Sequence, residues 1–465
     1  MKEQKFDLCV IGAGPGGYVA AIHAAKKGAS VAIIEKENFG GTCLNIGCIP
    51  TKTLIASVEV LVKLNKAEEF GIKLEGKAVA DWAKMQTRKD EIIVKLRAGI
   101  NGLLKAAGVN IIKGTASFSA KKTIITDTKE KITAKNFIIA TGSESLVPGF
   151  IPESKKIISS TELLSIKKIP KSLLILGGGV IGCEFACLFA ELGTEVTIVE
   201  MQDSIIPILD KELSRTLTQY MKKQGIKIIT GNPLENIKAT TKSVTGTVKG
   251  DKLSGEYLLV SIGRKSTVEN LNLAVTGVKT DDRGWISVTD KCKTNVAGIY
   301  AIGDVTGKWQ LAHAASAMGI VAAESITKTG NKVFTGNNIP GCIFTAPEIG
   351  TVGLTEEECK DKDIKITKGK FPFAALGKAM ALNETDGFCK IIADADTDQI
   401  LGVHIIGPHA TDLISEASVA LQLESTAKEL GNAIHAHPTL GEIMMETAHA
   451  VHGDCAHVAV PRKRK

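Results

Sequence analysis

Short apolar runs alternate with turns and helical stretches along most of the chain, which is the pattern of parallel βαβ units. The first apolar run is Phe6–Ile11, and a glycine-rich turn follows it directly. An Ala-rich stretch over residues 18–27 predicts a helix, and Ser30–Ile34 predicts a second strand that ends at Glu35. The pattern therefore predicts strand, turn, helix and strand in this order.

The same pattern occurs a second time. Ser172–Leu176 predicts a strand, Cys183–Leu192 a helix, and Glu195–Val199 a strand that ends at Glu200. The last glycine of the turn and the acid that ends the second strand are 18 positions apart in both copies, from residue 17 to 35 and from 182 to 200. Two copies with equal spacing predict two nucleotide-binding domains, and the alternative of two merely structural turns is disfavoured.

Each turn has the form of a dinucleotide fingerprint. Its glycines allow backbone N–H groups to approach a pyrophosphate at a helix N-terminus, and the acid can accept hydrogen bonds from a ribose. The expected contact residues are Gly12, Gly14, Gly17 and Glu35 in the first copy, and Gly177, Gly178, Gly179, Val180, Ile181, Gly182 and Glu200 in the second. Residues 201–204 contain no arginine or lysine for a 2′-phosphate, so the second copy is predicted to prefer NAD(H) to NADP(H).

Two cysteines follow the first copy closely, in Gly40–Lys52. Cys43 and Cys48 are five positions apart, which would place them about 140° apart around a straight helix. If they pair, the backbone is distorted or a helix begins between them, and a strained disulfide is easily reduced. A flavin suits the first nucleotide site, because it can accept two electrons from a thiol pair. Zinc binding is the alternative, but no matching second cysteine pair is evident.

The remaining pattern predicts the rest of the architecture. A long amphipathic helix covers residues 82–107, two antiparallel strands cover 114–118 and 123–126, and the buried strand 137–143 has a counterpart in 258–264. A strand over 297–304 leads to a helix over 311–327. From residue 339 onwards, short strands and two helices predict a separate α+β domain. The predicted fold class is α/β, with two Rossmann-like domains and a C-terminal α+β domain.

Composition and charge indicate the cellular compartment and the classes of partner to expect. The 465 residues carry a net charge of +7, and the basic residues are dispersed apart from Arg462–Lys465, which we interpret as a solvated end and not as a nucleic-acid site. The ten cysteines show no disulfide-scaffold spacing, which is typical of a reducing compartment. We therefore expect a cytoplasmic protein without nucleic-acid or membrane partners and without a bound metal.

Two polar motifs remain open to a structural or a functional interpretation. Asp304 ends a strand, where it could bind a flavin ribityl hydroxyl or serve as an ordinary turn residue. His437 precedes a proline, and Glu442 lies five residues onward. A carboxylate that orients an imidazole makes it a positioned base, although a histidine before proline is more often structural.

These motifs together resemble the flavoprotein disulfide reductase family, which is class I of the flavoprotein pyridine nucleotide-disulfide oxidoreductases, and its dihydrolipoamide-oxidising members in particular. The resemblance covers essentially the whole chain and rests on residues 40–52, both fingerprints, Ala140–Gly142, Ala301–Asp304 and His435–Thr439. It implies four domains: FAD-binding (1–146), NAD-binding (147–268), central (269–338) and interface (339–465). It also implies a homodimer with active sites built across the subunit boundary.

The resemblance assigns roles residue by residue. Cys43 is similar to the thiol that exchanges with substrate, and Cys48 to the thiol nearest the flavin. Lys52 resembles a lysine beside the flavin, paired with Glu184, while His437 of the partner subunit resembles the acid-base histidine and Glu442 its orienting carboxylate. The further FAD positions that it implies are Gly41, Thr42, Lys52, Gly114, Thr141, Gly142, Ser143, Asp304, Gln310, Leu311, Ala312 and His313, and the further NAD positions are Glu184, Leu234 and Gly263.

The activity implied by the resemblance is oxidation of protein-bound dihydrolipoamide to lipoamide, with reduction of NAD to NADH. The implied partners are lipoyl domains and the acyltransferase core of 2-oxo acid dehydrogenase complexes, with the glycine cleavage system as another setting. Glutathione and trypanothione reductases use NADPH, which Glu200 disfavours. Mercuric and high-molecular-weight thioredoxin reductases carry a second C-terminal cysteine pair, whereas Cys455 stands alone here. An NADH oxidase would not need the pair Cys43 and Cys48, and a purely structural subunit is the remaining alternative.

Overall fold

The computed structural model describes residues 3–457, so the basic Arg462–Lys465 lies outside the described residues. The chain divides into two compact units. The first comprises residues up to Pro148 together with Ser159–Lys168 and Gly263–Gly336. The second comprises Gly149–Ile158, Ile169–Ile262 and the chain from Asn337 onwards.

The elements up to residue 163 alternate between strands and helices, as the hydrophobic pattern predicts. They are β1 (Glu3–Ile11), α1 (Pro15–Lys26), β2 (Val31–Glu35), α2 (Gly41–Ile46), α3 (Cys48–Asn65), a 3₁₀ turn (Ala67–Phe70), α4 (Trp82–Ala106), β3 (Asn110–Lys113), β4 (Ala116–Ala120), β5 (Thr123–Thr126), β6 (Lys131–Ile139), β7 (Ser143–Ser145), β8 (Ile157–Ile158) and α5 (Ser160–Leu163).

The next elements repeat the opening pattern and then return to the first unit. They are β9 (Ser172–Leu176), α6 (Val180–Glu191), β10 (Glu195–Val199), α7 (Lys211–Lys223), β11 (Lys227–Ile229), β12 (Glu235–Ala239), β13 (Val244–Val248), β14 (Asp251–Gly255), β15 (Tyr257–Val260), β16 (Arg264–Ser266), 3₁₀ turns (Glu269–Leu271 and Leu273–Val275), β17 (Ile299–Ala301), a 3₁₀ turn (Gly303–Thr306) and α8 (Ala312–Thr327).

The last elements form the α+β region that the sequence predicts from residue 339. They are β18 (Gly341–Ile343), β19 (Glu348–Gly353), α9 (Glu356–Asp361), β20 (Ile366–Pro372), a 3₁₀ turn (Phe373–Ala375), α10 (Gly377–Leu382), β21 (Phe388–Asp394), β22 (Ile400–Gly407), α11 (Ala410–Gln422), α12 (Ala427–Asn432) and α13 (Glu442–His452).

The first unit is built on a sheet with the order β3-β2-β1-β6, continued by β17 on one part of β6 and by the hairpin β4-β5 on another. The pairs β1-β2, β1-β6, β2-β3 and β6-β17 are parallel. Alternate residues of β1 point to opposite faces, so Leu8 and Val10 pack in one apolar core and Cys9 and Ile11 in another. Parallel strands that are buried on both faces place their carboxyl ends, and hence the fingerprint loop, at one edge.

The second unit holds a five-stranded parallel sheet with the order β11-β10-β9-β15-β8. A three-stranded antiparallel sheet, β12-β13-β14, contributes to the same apolar core. The chain from residue 337 adds an antiparallel sheet, β18-β19-β22-β21-β20, with its own core. The predicted α/β class with a C-terminal α+β region is confirmed.

One helical stretch within residues 3–457, Gly41–Asn65, is long and apolar enough to cross a membrane by length and composition alone. This stretch bears on the expectation that the protein has no membrane partner. A single such stretch is weak evidence, and Gly47 interrupts it between the two helices that carry Cys43 and Cys48.

Candidate functional site

The two fingerprint loops, Gly12–Gly17 and Gly177–Gly182, have the same backbone geometry. A Cβ on Gly17 would lie 1.9 Å from the Gly12 carbonyl oxygen, and a Cβ on Gly182 would lie 2.1 Å from that of Gly177. Any side chain at either position would clash with the backbone of its own loop. These glycines therefore keep each loop tight enough to direct its N–H groups towards a ligand.

Both loops leave the N-terminus of the following helix open. Gly14 precedes α1 and Gly179 precedes α6, and no described side chain caps either helix. Beside Gly179 no described atom lies within 4 Å of where a Cβ would be, and beside Gly14 the nearest is the Gly41 Cα at 3.9 Å. Open N–H groups at the positive end of a helix form a site for a phosphate-bearing ligand.

The two acids that end the second strand of each copy are bound to the loops themselves. Glu35 accepts hydrogen bonds from the Ala13 and Glu37 amides at 2.7 and 2.8 Å. Glu200 accepts them from the Gly178 and Gln202 amides at 2.6 and 2.8 Å. Each carboxylate oxygen has a second lone pair for a ribose hydroxyl. The sequence predicted the ribose-binding role, but not that the same carboxylates fix the loops.

A set of polar side chains, which we call the hydroxyl cluster (Thr141, Ser143, Arg264 and Asp304), lies in the first unit. The Ser143 hydroxyl donates to the Asp304 carboxylate at 2.6 Å, and the Arg264 guanidinium donates to the Ser143 hydroxyl and carbonyl at 2.6 and 2.7 Å. The buried Thr141 hydroxyl has no hydrogen-bond partner among residues 3–457. A buried hydroxyl in this position fits a bound polar ligand such as FAD.

Arg264 was not among the predicted site residues. The strand pair β7-β16 places it opposite Ser145 and so brings it to the hydroxyl cluster. The sequence does contain a signal, because residues 258–264 echo 137–143 and Arg264 stands directly after Gly263.

Other predicted flavin positions lie in the first unit as well. The Gly114 amide donates to the Glu35 carbonyl at 3.0 Å, which places Gly114 beside the first fingerprint. Helix α8 begins at Ala312, with Leu311 as its N-cap residue. The remaining positions of this set that share the unit are Gly41, Thr42, Lys52, Gly142, Gln310 and His313. Their contacts with FAD remain a prediction.

The cysteine stretch folds as two helices with a break between them. Helix α2 ends at Ile46, Gly47 has φ −143° and ψ −113°, and α3 begins at Cys48. The backbone is thus distorted at Gly47, which is one of the two arrangements that pairing of the cysteines would require. Both side chains are thiols in this structure.

The two thiols interact directly. A hydrogen bond between the Cys43 and Cys48 side chains raises the pKa of Cys43 above its ordinary value, and burial raises it further. The positive charge of Lys52 acts in the opposite direction. The pKa of the Cys43 thiol is therefore held above its ordinary range, and the role of Cys48 as the thiolate beside the flavin remains a prediction.

The predicted acid-base pair is formed in the second unit. The Glu442 carboxylate lies 2.8 Å from His437 Nδ1, and Glu442 also accepts from the Thr439 amide at 2.8 Å. Burial opposes ionisation of Glu442, but these hydrogen bonds from Thr439 and His437 outweigh it and lower the pKa of the carboxyl. The His437 side chain is 77% exposed, so its other ring nitrogen is open to a ligand or a second subunit.

The other residues predicted to contact NAD differ in their surroundings. Glu184 is buried in α6 and accepts a hydrogen bond from the Phe344 amide at 3.0 Å. The Leu234 side chain is buried in the apolar core against Gly246, so only its backbone is available to a nucleotide. Gly263 falls at the start of a segment of the first unit, where its carbonyl accepts from the Leu146 amide.

Comparison with known proteins connects this geometry to a family. The sequence model for the pyridine nucleotide-disulphide oxidoreductases matches residues 6–319, and that for their dimerisation domain matches residues 339–448. The chain is 43% identical to a dihydrolipoyl dehydrogenase of Chlamydia muridarum, covering 96% of this chain and 97% of that protein. It is 41% identical to a dihydrolipoyl dehydrogenase of Bacillus subtilis, covering 97% and 99%.

A solved structure agrees with these matches. The HOCl-induced flavoprotein disulfide reductase of Escherichia coli superposes with a TM-score of 0.87 at 28% identity, covering 95% of this chain and 99% of that one. Matches over both regions of the chain and full-length relatives above 40% identity lead to one conclusion. This chain belongs to the pyridine nucleotide-disulphide oxidoreductase family.

Proposed function

We propose that this chain oxidises protein-bound dihydrolipoamide to lipoamide and reduces NAD to NADH. The observation that carries the proposal is the hydrogen-bonded thiol pair Cys43 and Cys48, which follows the first of two fingerprint loops. The relatives named dihydrolipoyl dehydrogenase match nearly the full length of the chain. A thiol pair beside one nucleotide site, with a second site for NAD, suits transfer of two electrons from a dithiol to NAD.

The chemistry of the chain's own residues begins from the oxidised pair, a Cys43–Cys48 disulfide. His437 of the partner subunit takes a proton from one substrate thiol, because the thiolate and not the thiol is the nucleophile. The substrate thiolate attacks the Cys43 sulfur, the disulfide breaks, and Cys48 leaves as a thiolate. The second substrate thiol gives its proton to the departing Cys43 sulfur and attacks the substrate sulfur of the mixed disulfide. Lipoamide then departs, and the enzyme pair holds the two electrons that the substrate lost.

The residues present fit FAD at the first fingerprint and NAD at the second. The first offers an open helix N-terminus beside Gly14, the Glu35 carboxylate and the unpartnered Thr141 hydroxyl. The second offers an open N-terminus beside Gly179 and the Glu200 carboxylate. Bound FAD would accept the two electrons from the thiol pair and deliver them to NAD as a hydride. Lys52 would hold positive charge beside the flavin.

The matched dimerisation domain supports a homodimer. In that dimer the exposed His437 of each subunit would serve the Cys43 of the other. Ile434, three residues before it, is fully exposed in the single chain, which is unusual for an isoleucine and is consistent with burial by a partner. We further propose a cytoplasmic enzyme whose partners are lipoyl domains and the acyltransferase core of 2-oxo acid dehydrogenase complexes, or the glycine cleavage system.

The direct test is NADH formation from NAD and free dihydrolipoamide, followed by absorbance. The wild-type protein is expected to produce NADH, and Cys43→Ser is expected to lose this activity because the disulfide cannot form. FAD content and NADH-dependent reduction of ferricyanide, which needs the flavin but not the thiol pair, are the controls for an intact fold. A fully active Cys43→Ser protein would overturn the disulfide mechanism.

A second measurement tests whether Cys48 is the cysteine in contact with the flavin. The wild-type protein reduced by two electrons is expected to show a long-wavelength absorption band from a Cys48 thiolate in contact with the flavin. Wild-type protein without this band would contradict the placement of Cys48.

A further inference from the structure

Helix α2, which carries Cys43, is too short to be stable by itself. It spans six residues, Gly41–Ile46, whereas isolated helices below about 12–15 residues are marginal even in favourable sequences. Its N-cap residue is a glycine with φ 91°, and no side chain among residues 3–457 caps it. Leu44 is its buried residue. The position of Cys43 therefore depends on what holds this helix from outside.

Asn45, two residues after Cys43, ties the helix to the turn that precedes it. Its side-chain amide nitrogen donates to the Phe39 carbonyl at 3.0 Å and to the Gly41 carbonyl at 2.8 Å. These carbonyls flank Gly40, so the amide closes the turn through which the chain enters α2. Both amide hydrogens are used, and the amide oxygen is left to accept.

Arg97 of helix α4 supplies the donors for that oxygen. Its Nε and one terminal nitrogen lie 3.1 and 2.7 Å from Asn45 Oδ1. A guanidinium only donates, so this contact fixes which end of the Asn45 amide faces the turn. Arg88, on the same helix, instead donates to the Thr53 carbonyl at 3.2 Å and to the Ser57 hydroxyl at 3.4 Å, both on α3. Helix α4 thus supports α2 and α3 through separate arginines.

We propose that Arg97 is a positioning residue for the thiol pair: through Asn45 it holds α2 so that Cys43 stays within bonding reach of Cys48. The inference rests on the proposed disulfide chemistry of these two residues. Order in α2 raises the effective concentration of one thiol at the other, and this favours the disulfide over the dithiol. Removal of Arg97 leaves the Asn45 oxygen without its charged donor and lets α2 and Cys43 move away from Cys48.

The test is the equilibrium between disulfide and dithiol in Arg97→Ala, measured on the FAD-loaded protein against dithiothreitol buffers with alkylation and mass spectrometry. The loss of hydrogen bonds from a charged group is expected to disfavour the disulfide about tenfold. For a two-electron couple this corresponds to a rise in midpoint potential of about 30 mV. Dihydrolipoamide-dependent NADH formation is expected to fall, while NADH–ferricyanide activity is retained.

Two further variants separate positioning from general stability. Arg97→Lys keeps a positive donor that can reach the Asn45 side-chain oxygen. Its midpoint potential is therefore expected to lie between those of the wild type and Arg97→Ala. Arg88→Ala removes the matched contact to α3 and is expected to leave the potential of the pair unchanged. A wild-type potential in Arg97→Ala, or an equal shift in Arg88→Ala, would overturn the inference.

The alkylation readout also keeps this inference separate from the proposed function. If the wild-type protein does not oxidise dihydrolipoamide but Cys43 and Cys48 still interconvert with a disulfide, the substrate assignment fails and the Arg97 inference is still tested. If the two thiols never form a disulfide, both proposals fail.

Discussion

The two fingerprint loops share one backbone geometry but differ in what surrounds them. In the first, helix α8 crosses α1 so closely that a Cβ on Gly16 would lie 2.9 Å from the Ala315 carbonyl oxygen, and one on Gly319 would lie 2.6 Å from that of Gly16. In the second, Ile181 occupies the position of Gly16. Residues 312–327, which lie far away in the sequence, thus pack against the first loop and not against the second.

The second loop is supported by the chain that follows it. The Ile206 amide donates to the Gly178 carbonyl at 2.8 Å, and the segment then reaches Asp210 at the start of α7. Asp210 is buried against Lys390 of β21 at 2.6 Å. The comparison teaches that the repeated motif fixes the backbone of each loop, while elements outside the repeat pack against the two loops differently.

The largest effect is expected from Lys390→Met, which removes the buried cation behind the second loop. Lys390 and Asp210 are each only 2% exposed, and Lys390 also lies 2.8 Å from Glu356. Unpaired buried carboxylates are expected to cost about 3–5 kcal/mol in the free energy of unfolding. Urea unfolding measures this loss of free energy. The control is Lys370→Met, which removes an exposed partner of Glu212 and is expected to cost under about 1 kcal/mol. Equal losses in both variants would contradict the buried role.

The same network predicts a pH window for stability. Burial opposes the charged forms of Asp210 and Glu356, but hydrogen bonds from lysines outweigh it and lower both pKa values from 3.8 and 4.5. Burial likewise opposes the charge on Lys390. Its carboxylate partners nevertheless raise the pKa of Lys390 from 10.5. The contribution of the carboxylates is therefore present above pH 4.5 and lost as the pH falls further, while that of Lys390 is lost as the pH rises above 10.5. Unfolding curves across pH should lose this dependence in Lys390→Met.

An intermediate effect is expected from the matched pair Gly17→Ala and Gly182→Ala. Each new Cβ would overlap a loop carbonyl, and overpacking costs about 1–3 kcal/mol, which is about 5- to 150-fold in affinity. Gly17→Ala is expected to lose FAD, measured by the flavin-to-protein absorbance ratio. Gly182→Ala is expected to keep FAD but to need more NADH for flavin reduction. The opposite outcome would exchange the two cofactor assignments.

The smallest effect is expected from Glu200→Arg, which changes the second acid only. Loss of the carboxylate and gain of a cation should shift preference from NADH towards NADPH by about tenfold, measured as the ratio of kcat/KM values. Glu200→Gln separates the loss of negative charge from the gain of a cation. The mutation should leave FAD content unchanged, because Glu35 serves the other loop. Wild-type protein that already uses NADPH as well as NADH would contradict the role of Glu200.

Much of the site could be predicted because its signals are local. Glycine fingerprints, a terminal acid and the cysteine spacing each lie within a few tens of residues, and the structure confirms the strands and helices that the fingerprints predict. The pairing of His437 with Glu442 is also local, since the two residues are five positions apart. By contrast, helix α13 and the sheet β12-β13-β14 were not predicted from the sequence.

The sequence by itself thus determined the two nucleotide loops, the redox-active cysteine pair and the family. Only the tertiary structure brought Arg264 to Ser143, Arg97 to Asn45, Lys390 to Asp210 and α8 onto Gly16. Long side chains with polar ends can serve many partners, and contacts between residues far apart in the chain are set by packing of whole elements. A sequence motif can indicate which atoms react, whereas the long-range contacts that hold those atoms in place are visible only in the tertiary structure.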